Sequence, residues 1–325
     1  MPTFSPQEID AAQRSVYAAM PPTPQFNWPL LRERLGCEVW VKHENHTPLG
    51  AFKVRGGLVY LPALARREPS CRGVVSATRG NHGQSIAFAA RRNGMAATVV
   101  VPQGNSLEKN AAMRALGAEL IEVGDDFQQA REYAAVLASE RKLHFVPSYH
   151  RDLVLGVATY WIEFFRAVQP AVVFVPIGQG SGICACIAAR AYTGVSTRIV
   201  GVVSAHATAY LDSFRAGRCI EAPVSTVLAD GMACRVPDEE PLTLMRREVD
   251  DIVAVNDDEV ATAMRAMFSA THNAAEGAGA ASLAAATQQR ERWRGRTVGV
   301  TLCGGNVDRE LFARVLAGSD GQTWR

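Results

Sequence analysis

Lys42-His43-Glu44-Asn45-His46-Thr47-Pro48-Leu49-Gly50-Ala51-Phe52-Lys53-Val54-Arg55-Gly56-Gly57 decides the fold and the chemistry of this chain. Val39-Trp40-Val41-Lys42 predicts a strand leading into it, and a helix is expected from Gly57 to Arg67. Lys53 then stands alone at a bend, between Gly50 and the Gly56-Gly57 pair, with Phe52 before it. A lysine amine whose pKa burial has lowered is a nucleophile and later a base, so Lys53 is a candidate to hold a carbonyl cofactor as a Schiff base. The alternative is a solvated lysine beside a turn, because most lysines are exposed. Three later stretches weigh between the two.

Working outward, strands and helices alternate. On the N-terminal side a helix is expected over 5–20, with Ser5 as N-cap and Pro6 at its first position. On the C-terminal side, strands are predicted over 73–77, 97–101 and 119–123. Helices are predicted over 84–93, 107–116 and 127–140, with Asn105 or Ser106 capping the second. A second alternating half follows, with strands over 171–177, 198–203, 252–255 and 297–302 and helices from about Ile183 and from Asp257 to about Thr271. This βα order predicts an α/β fold with parallel, doubly wound sheets. The polar and glycine-rich stretches fall where strands end and helices begin, which is where open α/β sheets bind ligands.

Composition narrows the class of protein. The 325 residues include 48% hydrophobic and 20% charged residues, ordinary for a folded enzyme of one or two domains. A net charge of +2 asks for neither nucleic acid nor an anionic membrane as partner. No apolar run reaches membrane-spanning length, and the first residues lack the basic and apolar regions of a signal peptide. Seven cysteines, at 37, 71, 184, 186, 219, 234 and 303, show no Cys-x-x-Cys pairing. They read as reduced thiols in a cytoplasmic protein.

Two loops carry the next signals. Gly178-Gln179-Gly180-Ser181-Gly182 lies between a predicted strand and helix. Small residues there let backbone N–H groups converge on an anion at a helix N-terminus, as a phosphate cradle does; the alternative is a tight turn. It is not a dinucleotide fingerprint, because position 183 is Ile183 rather than glycine. Ser76-Ala77-Thr78-Arg79-Gly80-Asn81-His82-Gly83-Gln84 is a second strand-to-helix turn, able to receive a carboxylate or simply capped by Asn81.

With these loops in view, the chain resembles the fold-type II pyridoxal-phosphate enzymes of the serine/threonine dehydratase branch. Four motifs in the family's order carry the resemblance: Pro48 to Gly56, Arg79 to Gln84, Gly178 to Gly182, and Cys303-Gly304-Gly305-Asn306-Val307-Asp308. The resemblance implies two open-sheet domains of the tryptophan synthase β type, with pyridoxal 5′-phosphate in the cleft between them. A small domain over 55–148 would bear the substrate loop, and 1–54 with 149–325 would form the large one. Lys53 would be the Schiff-base lysine and Phe52 would pack near the ring. Asn81 would meet the ring hydroxyl, and Gly178, Gln179, Gly180, Ser181 and Gly182 would take the phosphate. Cys303 would lie beside the pyridine nitrogen, and Glu276 near the cofactor edge, unless it is only a helix-start carboxylate. Thr78, Arg79, Gly80, Asn81 and His82 would receive the substrate carboxylate.

The implied reaction is β-elimination from a 3-hydroxy amino acid such as L-threonine or L-serine, giving a 2-oxo acid and ammonia. The rivals are elimination from 3-hydroxyaspartate or phenylserine, β-replacement of the cysteine synthase type, and a non-catalytic cofactor-binding protein. Departures from the family pattern matter. Gln179 and Ser181 replace glycines, Ala51 replaces a serine, and Arg79 replaces the serine that serves racemising relatives as acid or base. Arginine stays protonated, so racemisation is expected to be weak or absent, and Arg79 is free to clamp a carboxylate or to cap the loop. No metal site is expected, because Ser204 and the region of Tyr210 lack the carboxylates that hard cations need. Past Asp308 only a short tail remains, so no C-terminal regulatory domain is expected. A homodimer is expected from the resemblance alone.

Overall fold

The computed structural model describes residues 4–318. Met1-Pro2-Thr3 and the tail from 319, on which the expectations about a leader and a regulatory extension partly rest, lie outside the described residues. The strands are β1 Gln25–Asn27, β2 Glu38–His43, β3 Gly73–Ala77, β4 Ala96–Val101, β5 Glu119–Glu122, β6 His144–Phe145, β7 Val172–Pro176, β8 Arg198–Ser204, β9 Asp251–Val255 and β10 Thr297–Leu302. The helices are α1 Pro6–Tyr17, α2 Pro29–Leu35, α3 Lys53–Arg67, α4 Asn81–Arg92, α5 Leu107–Ala115, α6 Phe127–Arg141, α7 Arg151–Ala167, α8 Ser181–Thr193, α9 Ala209–Ala216, α10 Glu239–Glu248, α11 Asp257–Thr271, α12 Gly277–Gln288 and α13 Arg309–Ala317. None of them is long and apolar enough to cross a membrane.

Strand β7 shows why helices cover both faces of its sheet. Val173 and Val175 pack into one core with α1, α7 and α8, while Val172 and Phe174 pack into another with α2, α11 and α12. A strand buried on both faces needs a continuous apolar run, which β7 supplies. Its sheet has the order β1-β2-β10-β7-β8-β9, all parallel except the antiparallel edge strand β1. The second sheet, β5-β4-β3-β6, is wholly parallel. There Val74, Val99 and Val101 face α3, α4 and α5, and Val75, Ala77 and Val100 face α6. The fold is thus α/β with two doubly wound sheets, as the alternation predicts.

The expected caps are present. Ser5 and Glu8 form a capping box on α1, and Ser106 caps α5. Three helices begin earlier than the composition suggests: α3 at Lys53 rather than Gly57, α4 at Asn81 rather than Gln84, and α8 at Ser181 rather than Ile183. No side chain caps any of the three. Gly80 (φ 149°) and Gly180 (φ 90°) make the turns into α4 and α8 with backbone angles that side chains rarely adopt. The polar residues expected in loops therefore occupy first helical turns. Lys53 is not at a bend but at the first position of α3.

Helix α3 is held from beneath by buried charge. Arg55, fully buried, pairs with Glu44 (Nε–Oε2 2.7 Å) and with Glu163 of α7 (Nη1–Oε1 2.6 Å), and donates to Thr159 Oγ1 at 2.9 Å. Lys42 at the end of β2 joins through Glu163 at 2.6 Å. Gly156 lets α7 cross α3 closely, since a Cβ there would lie 2.2 Å from the Arg55 carbonyl oxygen.

Candidate active site

The cleft opens where β2, β3, β7 and β10 end. The chain after β2 is stitched to the chain after β10: Phe52 N donates to the Cys303 carbonyl at 3.0 Å, and Gly305 N to the Gly50 carbonyl at 2.9 Å. That places Lys53, at the head of α3, beside Cys303. Ser85 Oγ on α4 donates to the Lys53 carbonyl at 2.6 Å, fixing the two helices together. The cleft holds about 820 Å³ of open space, and all the residues singled out in the sequence line it: Phe52, Lys53, Thr78 to His82, Gly178 to Gly182, Glu276 and Cys303.

Lys53 is half-buried, with its amine turned inward, and its Nζ donates to Ser181 Oγ at 2.8 Å. Burial pulls its amine down to about pKa 8. About a tenth is then the free, nucleophilic base at pH 7, far more than a solvated lysine offers. The Cys303 thiol donates to the Ala278 carbonyl (3.4 Å), and burial, with Glu276 nearby, pushes its pKa well up. It stays a neutral thiol.

The Arg79–His82 turn is shaped from within. Thr78 Oγ1 accepts from Gly80 N (2.8 Å) and Gly83 N (3.1 Å), so its hydroxyl is committed to the loop's own backbone. Asn81 is held at both ends of its amide: Nδ2 donates to Glu276 Oε1 at 2.6 Å, and Oδ1 accepts from Asn306 Nδ2 at 2.9 Å. Burial, with Lys53 adding repulsion, pulls His82 down to about pKa 3, and its Nε2 has no partner. Arg79 is half-buried, and its Nε is also without a hydrogen-bond partner. In the glycine loop, a Cβ at Gly178 would lie 2.4 Å from the Gly231 carbonyl oxygen, and one at Gly180 2.7 Å from Pro241 Cβ. Gln179 Oε1 is buried and unpaired.

Lys109 and Asp230 complete the cleft, and sequence reasoning missed both. Lys109 Nζ lies 2.7 Å from Asp230 Oδ2 and 3.0 Å from Glu276 Oε2. Nothing local marks them: Lys109 reads as an ordinary helix lysine, and its partners lie far away in sequence. No group of three or more His, Cys, Asp or Glu among the described residues is arranged to hold a metal ion.

These residues fit a pyridoxal-phosphate group. There is a buried amine, a glycine cradle at the head of α8, a neutral thiol, and unpaired polar atoms on Arg79, His82 and Gln179 for a ligand to satisfy. The site is that of a pyridoxal-phosphate dependent enzyme, and residues 16–304 match that family. The chain belongs to it. Within the family it is 36% identical over 287 residues to an L-threonine ammonia-lyase of Geobacter sulfurreducens, covering 87% of this chain and 71% of that protein. It is 30% identical over 326 residues to an L-threo-3-hydroxyaspartate ammonia-lyase of Saccharomyces cerevisiae, covering 99% of each. The processed form of threonine deaminase isoform 2 from Solanum lycopersicum superposes with a TM-score of 0.85 at 26% identity, over 98% of this chain and 96% of that one.

Proposed function

We propose that this enzyme eliminates water from a 3-hydroxy amino acid, such as L-threonine or L-serine, to give an enamine whose hydrolysis takes up water again and yields a 2-oxo acid and ammonia. The observation that carries the proposal is the buried Lys53 amine facing Ser181 at 2.8 Å, within a cleft where the heads of α3, α4 and α8 converge. Pyridoxal phosphate, when bound, supplies the electron sink that makes loss of the α-proton and then of the β-hydroxyl feasible. The chain supplies the rest. The glycine loop and Ser181 hold the phosphate. The N–H groups at the head of α4 bind the substrate carboxylate, with Thr78 keeping that turn in shape. The Lys53 amine, released from the cofactor, takes the α-proton. Cys303 puts no carboxylate charge in the cleft, which suits a shallow sink and fast loss of hydroxide over a long-lived carbanion. His82 stays neutral and does not repel the lysine when it takes up a proton.

One observation favours a narrower substrate. The unpaired, buried Nε of Arg79 suits a second carboxylate, as in 3-hydroxyaspartate, and the yeast relative bears that substrate in its name. The division into a small unit over 55–148 and a large remainder belongs to the same proposal, with the four-stranded sheet falling inside that range. So do a homodimeric assembly and a cytoplasmic location; light scattering on the purified protein checks the former.

The test is release of 2-oxo acid and ammonia from both enantiomers of serine and threonine, from 3-hydroxyaspartate and from phenylserine. Lys53→Ala serves as control. Turnover of at least one member by the wild type alone is expected, without detectable racemisation. Preference for 3-hydroxyaspartate assigns Arg79 to the side chain, and preference for an aliphatic or aromatic member refutes that role. Absence of ammonia from every member sinks the elimination reading and favours β-replacement or cofactor binding without turnover.

A further inference from the structure

Lys109 lies outside every motif, yet it is a cation on which parts of the cleft attached to the two sheets meet. It comes from α5, which packs on the four-stranded sheet. Asp230 comes from the turn 230–232 and Glu276 from the residue before α12, both attached to the six-stranded sheet. Its side chain is 7% exposed, with its methylenes under the substrate loop: a Cβ on Gly80 would lie 2.4 Å from Lys109 Cδ. The head of α5 is docked at two further points. Ser106 Oγ donates to Asp308 Oδ1, and Glu108 Oε1 accepts from Arg309 N at 2.9 Å.

The partner that matters is Glu276. Its Oε2 faces Lys109 at 3.0 Å, and its Oε1 accepts from Asn81 at 2.6 Å. The groups facing Glu276 are Lys109 from α5, Asp230 from the turn 230–232, Cys303 from the end of β10 and the uncharged Asn81 from α4. Among these charges Lys109 is the one cation in ion-pair contact. Burial, with Asp230 beside it, raises the Glu276 carboxyl above its ordinary value, and Lys109 limits that rise. A neutral carboxyl would donate as well as accept, and the Asn81 amide would no longer be fixed in one orientation.

We propose that Lys109 is a positioning residue of the reaction: by clasping Asp230 and Glu276 it holds the Glu276 carboxyl in place and aimed at Asn81. It thereby couples the approach of α5 to the set of the group expected to meet the cofactor. The inference rests on the pyridoxal-phosphate reading of the cleft. It does not depend on which amino acid is the substrate.

The experiment compares Lys109→Met, Lys109→Arg, Glu276→Gln and the double variant Lys109→Met/Glu276→Gln as holoenzymes. Two readouts are taken: kcat and KM on the preferred substrate, and the pH titration of the bound cofactor's visible absorption without substrate. Lys109→Met is expected to lower kcat about 100-fold with a much smaller change in KM. Lys109→Arg recovers about 10-fold of that loss. The absorption titration moves alike in Lys109→Met and Glu276→Gln, and the double variant resembles either single one, because both act through one carboxylate. The proposal is overturned by losses that multiply in the double variant, or by an absorption titration in Lys109→Met that matches the wild type. Should Lys109→Met fail to fold, Lys109→Arg and Glu276→Gln decide. A titration unchanged in Glu276→Gln overturns the proposal, and a shift there with a near-wild-type absorption titration in Lys109→Arg supports it. Because the absorption readout uses no substrate, it stands even if the elimination reading fails.

Discussion

At the residue scale, the amine of Lys53 is buried with only Ser181 as hydrogen-bond partner and no carboxylate in ion-pair contact among the described residues. Its pKa falls from 10.5 to about 8. Between those values the unfolded chain binds more protons than the folded one, so the cofactor-free protein gains stability as pH rises through that window. Below pH 8 the buried charge costs about 3 kcal/mol. Lys53→Met, in the cofactor-free form, is therefore expected to be more stable than the wild type at pH 7 by about 2 kcal/mol, after the lost hydrogen bond is counted. Urea titrations at pH 7 and pH 10 should show that advantage shrinking at the higher value. An unchanged advantage would mean the amine is not titrating as its burial requires. That Lys53, Asn81 and the glycine loop would share one cleft was legible, because each stands in a polar or glycine-rich stretch between a strand and a helix. Lys109 and Asp230 were not, because ion pairing across 121 residues leaves no local trace.

At the element scale, α3 is placed by close backbone approaches. A Cβ on Gly57 would meet Ser85 Oγ at 2.4 Å, and one on Gly156 would meet the Arg55 carbonyl oxygen at 2.2 Å. Gly156→Ala must push α7 away from α3, an overpacking cost of about 1–3 kcal/mol. Because α3 starts at Lys53, the same shift displaces the amine. Calorimetry should show a lower melting temperature, and cofactor titration a weaker affinity. Loss of stability with unaltered cofactor binding would show that the head of α3 is fixed by other contacts. The sequence hides these helices' true starts for a physical reason. Small residues that fit a first turn against a ligand cleft, such as Gly80 and Gly180, are the same residues that mark loops. Helix α12, Gly277–Gln288, is buried nearly all round and is largely alanine, so it shows no amphipathic period to read. Helix α7, buried almost without a break from Leu153 to Phe165, is missed as well.

At the scale of the whole molecule, the two sheets were readable from the βα alternation, but not how they are joined. The joint runs through α3, α7 and the buried network of Arg55, Glu44, Glu163 and Lys42. Burial raises the Glu163 carboxyl, but Arg55 and Lys42 outweigh it and hold the pKa below 4.5. That contribution is present above pH 4.5 and is lost as pH falls through the lower, folded-state value. Glu163→Gln leaves part of Arg55 and Lys42 uncompensated and should cost about 3–5 kcal/mol at pH 7. Its denaturation midpoint should also depend less on pH below 4.5 than that of the wild type, as acid titrations followed by circular dichroism would reveal. Parallel acid curves would place the sensitivity elsewhere.

The close crossing of α3 and α7 has a topological consequence. The chain leaves the six-stranded sheet at Lys53 and returns at Arg151, and Gly56 and Leu153 are near enough that a Cβ on Gly56 would touch the Leu153 carbonyl oxygen at 3.2 Å. Exit and return thus share one doorway. The intervening segment, with its own parallel sheet and the turn around Arg79, is an insert whose ends already touch. The larger sheet keeps its strand order without a thread of that segment passing through it. The turn around Arg79 thus reaches the cleft from that segment, while the Gly178–Gly182 loop reaches it from the larger sheet.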